Sequence, residues 1–363
     1  MVRFSDIIKD KDRKDLTKES SDETTETQEN SVLSNSQIAR VLSDSQISMV
    51  RGEKALFAPP FKKEWSGEIT THYEKFIDRA IDTRARVKND QGISPSPILS
   101  DLHSIHDKDL VGKLYEYSML VPSEHEWILV HNVHVMFLSM LVGQDMGYDM
   151  KMLLKLGLGA LLENVGMHKI PEGILEKKGT LDDKEMAAVR QHPKNSYEIL
   201  AQLGEEYQWL AEVAVQVHER TDGSGYPYGL KGGEIYELAS TIGIADMYLA
   251  MTSDRPYREK ILQTDAAKYI LKEAKEQFPS KIRKVFMNQI SFFPVSSYVL
   301  LNNKSIGRVL TTDKQQPLRP TIEVLYDGTG KKLERTEVIK LAENPLIYIT
   351  ESIHEKDLPR VIG

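Results

Sequence analysis

Two neighbouring stretches decide the fold of this chain, "HERTDGSGYPYGLKG" (218–232) and "IADMYLAMTSDRPYR" (244–258). The first begins with His218 at the end of an apolar helical run and continues into a loop dense in Gly and Pro, which favour turns. The second places Asp246 inside an otherwise apolar run. A carboxylate in such a run must be paired or bind a cation. The pattern therefore predicts two packed helices, joined by a loop, with polar groups held between them.

Helical patterns dominate on both sides of these stretches. Residues 123–290 repeat apolar residues at helical spacing, and "SEHE" (123–126) has the Ser-x-x-Glu spacing of a capping box before an apolar helix. Upstream, the segment 72–87 is amphipathic. Its predicted buried face carries Tyr73, Phe76, Ile77, Ala80 and Ile81. We therefore predict a mainly α fold: a helical bundle over 123–290, preceded by a helical N-terminal region over 51–122.

The first 50 residues have a different composition, rich in charged and hydroxyl side chains. Such segments bury too little apolar surface to offset the entropy of ordering, so residues 1–50 are predicted to be a disordered or weakly structured tail. A short repeat, "VLSNSQI" (32–38) and "VLSDSQI" (41–47), has too few copies for a solenoid. The N-terminal part lacks the strand–helix alternation of a receiver domain.

The pattern changes again near residue 291. Short β-branched and aromatic runs, separated by turn residues, predict a β-rich C-terminal segment over 291–363, with three or four strands at 296–352. The sequence "DGTGKK" (327–332) is typical of a hairpin turn.

Composition excludes several classes of protein. The net charge of −7 argues against extended, nonspecific binding to DNA, which requires a basic face. The chain has no cysteine, so neither disulfides nor thiolate metal sites can form. The most apolar stretch (127–143) is interrupted by His131, Asn132 and His134, unlike a membrane span. We predict a soluble, cytoplasmic protein with no membrane span.

Four polar residues on separate segments become neighbours if the helices form one bundle: His131, His192, His218 and Asp246. Each has a plain structural interpretation, because a His in an apolar helix is often a hydrogen-bonded core residue and a buried Asp often caps or pairs. Helical bundles also build metal sites from inward-facing side chains. The residues alone leave both interpretations open.

Together the two quoted stretches resemble the HD-GYP family, a branch of the HD-domain metal-dependent phosphohydrolases. The resemblance covers residues 123–290 and implies a helical bundle of HD-domain type. It also implies hydrolysis of cyclic di-GMP at a centre of two or three metals, often iron or manganese. On the family pattern, the metal-ligand positions are His131, His192, His218 and Asp246.

The chain departs from that pattern at the metal positions. The family's His-Asp pair is replaced by Glu163 and Asn164, its following lysine by Met167, and the first of two adjacent histidines by Val217. Asn is neutral and binds divalent metals weakly, so it cannot supply the bridging carboxylate. We therefore predict a degenerate, catalytically inactive site that binds no metal, or iron or manganese if one binds.

The alternative is a metal-dependent cyclic di-GMP phosphodiesterase with a rewired site, in which Glu163 substitutes as a ligand beside the four remnant positions. Two further histidines, His134 and His168, lie near the altered positions in the sequence. Gly166 and Pro171 indicate that the helix ends there. In the plain interpretation, His134 faces the core or a neighbouring helix and His168 lies exposed on a loop.

The ligand-binding residues are better preserved than the metal ligands. Arg suits phosphate through its planar donors, and the tyrosine of the glycine loop can stack on a guanine or donate to a phosphate. The predicted ligand-binding residues are Tyr226, Lys231, Arg255, Tyr257 and Arg258.

The Gly-Tyr-Pro loop is intact, and in the family it is implicated in contacts with partner signalling proteins. The resemblance thus predicts a cyclic di-GMP signalling protein that acts through protein partners and through binding of the nucleotide. A homodimer is also left open.

Overall fold

The computed structural model describes residues 65–255, 259–313 and 315–359. The predicted tail (1–50), the repeat within it, and the predicted ligand-binding residues Tyr257 and Arg258 lie outside these ranges. Within them the chain is mainly helical and ends in a small antiparallel sheet, so the predicted fold class is confirmed.

The helices follow one another with short connections. Between residues 65 and 122 of the described part there are three: α1 Gly67–Lys88, α2 Pro95–Asp107 and α3 Val111–Leu120. The next group comprises α4 Trp127–Asp145, α5 Met150–Leu162, α6 Glu172–Leu175, α7 Asp183–Val189, α8 His192–Ala201 and α9 Gln208–Gln216. After the glycine loop come α10 Glu237–Thr252, α11 Gln263–Lys272 and α12 Ser280–Gln289.

Helices α4 and α10 form the centre of the bundle. Both are apolar around most of their circumference, as expected of helices buried on all sides, and they pack against each other and against α5. Within the described ranges, α4 is also the one helix long and apolar enough to cross a membrane, but 72% of its most apolar stretch is buried inside the fold. Its composition is therefore that of a core helix.

The N-terminal helices share this core. Phe76 of α1, Leu102 of α2 and Leu114 of α3 are fully buried in the same apolar cluster as Phe137 of α4. Each such side chain contributes roughly 1.5–3 kcal/mol by its burial. Helices α1 to α3 therefore stabilise the bundle, and the domain limits at 50, 122 and 290 stay predictions.

Two local predictions were wrong. Ile81 is 40% exposed, because the buried stripe of α1 runs through Phe76, Ile77 and Ala80 and leaves the next turn outside it. The capping box is also absent: α4 begins at Trp127, after a residue that makes no side-chain cap, while Ser123 accepts a hydrogen bond from the His125 amide at 3.3 Å.

The chain after α5 is fixed to the start of α8. Val165–Lys169 forms a 3-10 helix, and a Cβ atom on Gly166 would lie 2.0 Å from the carbonyl oxygen of His192. The Gly166 amide donates to Ser196 Oγ at 2.8 Å, and that hydroxyl donates to the Glu163 carbonyl at 2.6 Å. This close approach brings Glu163 and His192 to the same place.

The C-terminal sheet has the strand order β4-β3-β2-β1-β5, with every neighbouring pair antiparallel. Its strands are β1 Tyr298–Leu301, β2 Ile306–Thr311, β3 Thr321–Tyr326, β4 Lys332–Lys340 and β5 Ile349–Ile353. Three or four strands were predicted, and β4 was missed because this exposed edge strand, "KLERTEVIK", has no alternation of buried residues. The hairpin turn at 327–332 is confirmed, with Asp327 Oδ1 accepting from the Thr329 amide at 2.9 Å.

The edge strand β5 joins the sheet to the helices. Ser352 Oγ lies 2.5 Å from Thr264 Oγ1 at the start of α11, and Lys356 Nζ lies 3.2 Å from Glu259. The sheet is therefore attached close to the segment that follows Arg255.

We expect Gly243→Ala to destabilise the protein, because a Cβ atom there would lie 2.3 Å from the Val217 carbonyl oxygen, where backbone cannot move aside easily. Overpacking of this kind costs roughly 1–3 kcal/mol. The measurement is the thermal unfolding midpoint. The matched control is Gly173→Ala, where nothing lies within 4 Å of the new atom. Equal midpoints for the two variants would contradict the close α9–α10 packing.

Candidate metal centre and ligand cleft

Asp246 of α10 and His131 of α4 form a buried pair. His131 Nε2 lies 2.8 Å from Asp246 Oδ1, and both side chains are buried. Burial lowers the pKa of His131, so the neutral ring donates its Nε2–H to the carboxylate. Its Nδ1 atom is buried and has no hydrogen-bond partner among the described residues.

The Asp246 carboxylate is ionised. Burial alone would raise its pKa, but the hydrogen bond from His131 and the positive charge of Arg255 act in the opposite direction and hold the pKa well below its usual range. Its second oxygen, Oδ2, lies 3.7 Å from His218 Nδ1. Asp246 thus orients two histidines at once.

His218 and His192 point their remaining nitrogens at each other. His192 Nδ1 donates to the Val189 carbonyl at 2.7 Å, and the Nε2 atoms of the two rings lie 2.8 Å apart. Because His192 Nδ1 is the donor to Val189, its Nε2 carries a lone pair, and the 2.8 Å contact is a hydrogen bond donated by His218 Nε2–H. Burial lowers the pKa of His192 to about 4, which keeps its ring neutral.

Glu163 lies beside the two histidines at the end of α5. It is fully buried. Its Oε1 accepts a hydrogen bond from the side-chain nitrogen Nδ2 of Asn164, and its Oε2 has no hydrogen-bond partner in the described part of the chain. Asn164 Nδ2 also donates to Asn132 Oδ1 at 3.2 Å. Burial, and then the charge of Asp246, raise the pKa of Glu163 well above its usual value.

These groups fit one divalent metal ion. One ligand atom each from Glu163, His192 and His218 lies within 4.8 Å of the others. A cation in place of the proton between the two Nε2 atoms would bind both nitrogens and the unpartnered Glu163 oxygen. Two histidines with one carboxylate are a common ligand set for zinc or ferrous iron. The hydrogen bond from His192 Nδ1 to the Val189 carbonyl orients that ring as in known metal sites, and Asp246 Oδ2 lies 3.7 Å from His218 Nδ1.

The other two histidines are not part of this cluster. His134 Nε2 lies 3.2 Å from the hydroxyl of Tyr73 on α1, as the plain interpretation placed it, against a neighbouring helix. His168 is half-buried in the 3-10 helix rather than exposed on a loop, and burial lowers its pKa to about 4, with Arg84 and Lys88 contributing. The structure thus brings neither to the three clustered ligand atoms.

The glycine loop is held by a buried carboxylate. Glu219 Oε1 accepts from the Tyr228 amide at 2.6 Å, and Oε2 accepts from the Leu230 amide at 2.9 Å. A Cβ atom on Gly225 would lie 2.4 Å from the Arg220 backbone nitrogen, so the loop lies directly on the chain that carries His218. Sequence reasoning missed Glu219, although its place next to His218 was a usable signal.

The loop places Tyr226 against the histidine cluster. Its ring stacks on His218 with centroids 4.9 Å apart and planes 4° apart, and Arg190 Cζ lies 5.7 Å from its centroid. Lys231, in contrast, is exposed, and its side chain lies along Gly223 while its amide donates to Glu234. The structure therefore brings Tyr226 to the centre and leaves Lys231 on the loop surface.

Arg255 also lies near the centre, beside Trp127. Its guanidinium Cζ lies 4.9 Å from the ring centroid of Trp127, at the start of α4. Its positive charge also lowers the pKa of His131 and His192. Trp127 was missed from sequence, although it precedes His131 by four residues and so shares its helix face.

Comparisons with known proteins agree with this architecture. Residues 117–282 match the protein family described as "HD domain", and residues 298–360 match "KOW domain associated with HD domain". The solved structure of Bd1817, a HDG"Y"P protein from Bdellovibrio bacteriovorus, aligns with a TM-score of 0.52 at 18% identity, covering 64% of this chain and 74% of that one. This likeness shows a shared fold. The helical residues 117–282 thus match an HD domain.

Two curated relatives indicate which kind of HD-domain protein this chain is similar to. Cyclic di-GMP phosphodiesterase PA4108 of Pseudomonas aeruginosa is 30% identical over 216 residues, which are 60% of this chain and 52% of the relative. Cyclic di-GMP phosphodiesterase PdeB of Borreliella burgdorferi is 29% identical over 209 residues, or 58% and 55% of the two chains. The chain spans about half the length of these relatives. These matches support the predicted resemblance to the HD-GYP family.

We expect Glu219→Gln to loosen the glycine loop. The side-chain NH2 group of the new glutamine would then face the backbone N–H of Tyr228 or Leu230, and two donors cannot pair. A hydrogen bond to a buried charged group contributes about 1.5–3 kcal/mol, so exchange of the Tyr228 and Leu230 amides should accelerate about tenfold or more. Amide hydrogen exchange measures this. Glu212→Gln is the control, because Glu212 contacts Tyr236 at the surface. Unchanged exchange at both amides would rule out this anchor.

His134 makes stability depend on pH. Burial lowers the pKa of His134 to about 3, below the value of 6.5 in the unfolded chain, so acid favours the unfolded state. The resulting loss of unfolding free energy grows as the pH falls from 6.5 towards 3 and reaches about 2 kcal/mol at pH 5. His134→Gln should flatten the curve of unfolding free energy against pH over this range. His103→Gln, at an exposed position, should leave it unchanged.

Proposed function

We propose that this chain is a cyclic di-GMP signalling protein that binds the nucleotide without hydrolysing it. The single observation that carries the proposal is the position of Asn164. Its amide nitrogen donates to Glu163 and to Asn132, at the place where the family pattern has a bridging carboxylate. An amide committed as a donor in this way supplies no negative charge to join two cations.

Two further positions support the same conclusion. Val217 is fully buried and apolar, so it offers no ligand where the family pattern has a histidine. Met167 is buried in the apolar core and brings no positive charge where that pattern has a lysine. Compared with the family pattern, the centre thus lacks a carboxylate, a histidine and a lysine, while Tyr226 and Arg255 remain beside it.

One divalent metal would be held by Glu163, His192 and His218. A bound metal supplies a Lewis acid that polarises a phosphoryl oxygen and lowers the pKa of a bound water. Asp246 would orient His218, and His131 would keep the Asp246 carboxylate in place by its hydrogen bond. In this chain the metal site would serve to bind and position a phosphodiester.

The second candidate function is a metal-dependent cyclic di-GMP phosphodiesterase with a rewired centre. It is favoured by the clustering of Glu163, His192 and His218, since that set leaves coordination positions open for water and substrate. The two candidates differ in one observable, the turnover of the nucleotide.

Docking of protein partners is a further part of the proposal. The anchored loop presents Asp222 and Ser224 at its exposed turn, where Asp222 Oδ1 accepts from the Ser224 amide at 2.9 Å. A loop ordered before binding loses less entropy when a partner docks. This supports a role in contacts with signalling proteins.

The test compares the wild type with the variant Glu163→His, Asn164→Asp, Val217→His. We expect the wild type to hold no more than about one metal ion per chain and to bind cyclic di-GMP without converting it, since it lacks a bridging carboxylate. The variant should hold about two. Elemental analysis of anaerobically purified protein measures the metal, and chromatography of the incubated nucleotide measures turnover.

The rewired phosphodiesterase predicts a different result. Turnover by the wild type that is abolished in His192→Ala would overturn the non-hydrolytic proposal and support the second candidate. If the wild type binds the nucleotide but contains no metal, the protein would be a non-hydrolytic sensor that needs no metal ion.

A further inference from the structure

Two rows of side chains lie beside the centre, each with a cation, an aromatic ring and a histidine. In the first, the guanidinium of Arg190 lies over the ring of Tyr226 at 5.7 Å, and that ring stacks on His218 at 4.9 Å. In the second, Arg255 lies over Trp127 at 4.9 Å, and the Trp127 ring is 6.4 Å from that of His131 and tilted by 51°. Only the first histidine is stacked on its aromatic neighbour.

The two rows end on the same carboxylate. His131 contacts Oδ1 of Asp246 at 2.8 Å, and His218 faces Oδ2 at 3.7 Å. Both arginines are therefore linked to one buried centre, each through an aromatic side chain and a histidine. A ligand bound at the centre would meet two cations.

An arginine whose guanidinium packs face-on against a ring can still donate hydrogen bonds through its edge. A guanidinium that packs its face on a ring directs its N–H donors outward in the plane of the group, which suits a phosphodiester. Arg190 is exposed at the end of α7, two residues before His192.

We propose that Arg190 is a ligand-binding residue and Trp127 a positioning residue at a site for a cyclic dinucleotide. Arg190 and Arg255 each pair with one of the two phosphodiesters, and the rings of Tyr226 and Trp127 hold the two guanidinium groups in place. The inference rests on the proposed function, since it names how the same site recognises its nucleotide.

The chain contains a matched pair for comparison. Lys155 lies over the ring of Trp209 at 4.7 Å, between α5 and α9. It has the same cation–aromatic geometry but is not part of the histidine cluster. If cation–aromatic packing served only stability, substitutions in the three pairs would have similar effects.

The test is calorimetric titration of the full chain with cyclic di-GMP. We expect Arg190→Gln and Trp127→Leu each to weaken binding by about tenfold or more, since Arg190→Gln removes a hydrogen bond from a charged group and Trp127→Leu removes the ring that holds Arg255. Trp127→Phe should restore part of the loss, and Lys155→Gln should bind as the wild type does. Arg190→Gln should also reduce the dependence of binding on salt.

The outcomes separate the inference from the function on which it rests. Wild-type affinity in both Arg190→Gln and Trp127→Leu would overturn the inference while leaving nucleotide binding intact. No binding by the wild type would overturn both. If Trp127→Leu lowers the unfolding midpoint, the result for the exposed Arg190 decides alone.

Discussion

The buried carboxylate of Asp246 is the constraint on which the site depends. A charge inside an apolar helix would be costly, so the structure surrounds it with a hydrogen bond from His131, the imidazole of His218 and the charge of Arg255. These partners come from α4, from the end of α9 and from the segment after α10. Satisfying one carboxylate thereby fixes the arrangement of three parts of the bundle.

The same constraint explains how the centre tolerates its unusual residues. Replacing a bridging carboxylate by Asn164 removes a negative charge, whereas Glu163 adds one in the adjacent position. The number of acidic groups is thus kept while their geometry changes. Because Glu163 is buried near Asp246, its pKa is raised and it is ready to accept either a proton or a cation. The side-chain amide of Asn164 donates to Glu163 Oε1 and to Asn132 Oδ1, which leaves Glu163 Oε2 without a hydrogen-bond partner among the described residues.

Much of the architecture could be predicted from sequence, for identifiable reasons. Periodicity revealed α1 and the central helices, and the glycine loop with the Asp in an apolar run located the site. Strand β4 was missed because an exposed edge strand carries no burial pattern. The pairing of Arg190 with Tyr226, and of Arg255 with Trp127, depends on contacts between distant segments, and sequence alone cannot orient such side chains. His168 was misplaced because its burial comes from α1 packing over the 3-10 helix.

The glycine loop and the metal centre depend on different interactions, which is why one can persist while the other changes. Glu219 and the close approach of Gly225 hold the loop through backbone groups, and neither contact involves a metal ligand's side chain. Tyr226 keeps its place because the loop backbone is fixed and because its ring stacks on His218. Substitutions at the metal-ligand positions therefore leave the loop and Tyr226 in place. The proposed function requires this independence, since a protein that has lost hydrolysis must keep the residues that bind the phosphodiester.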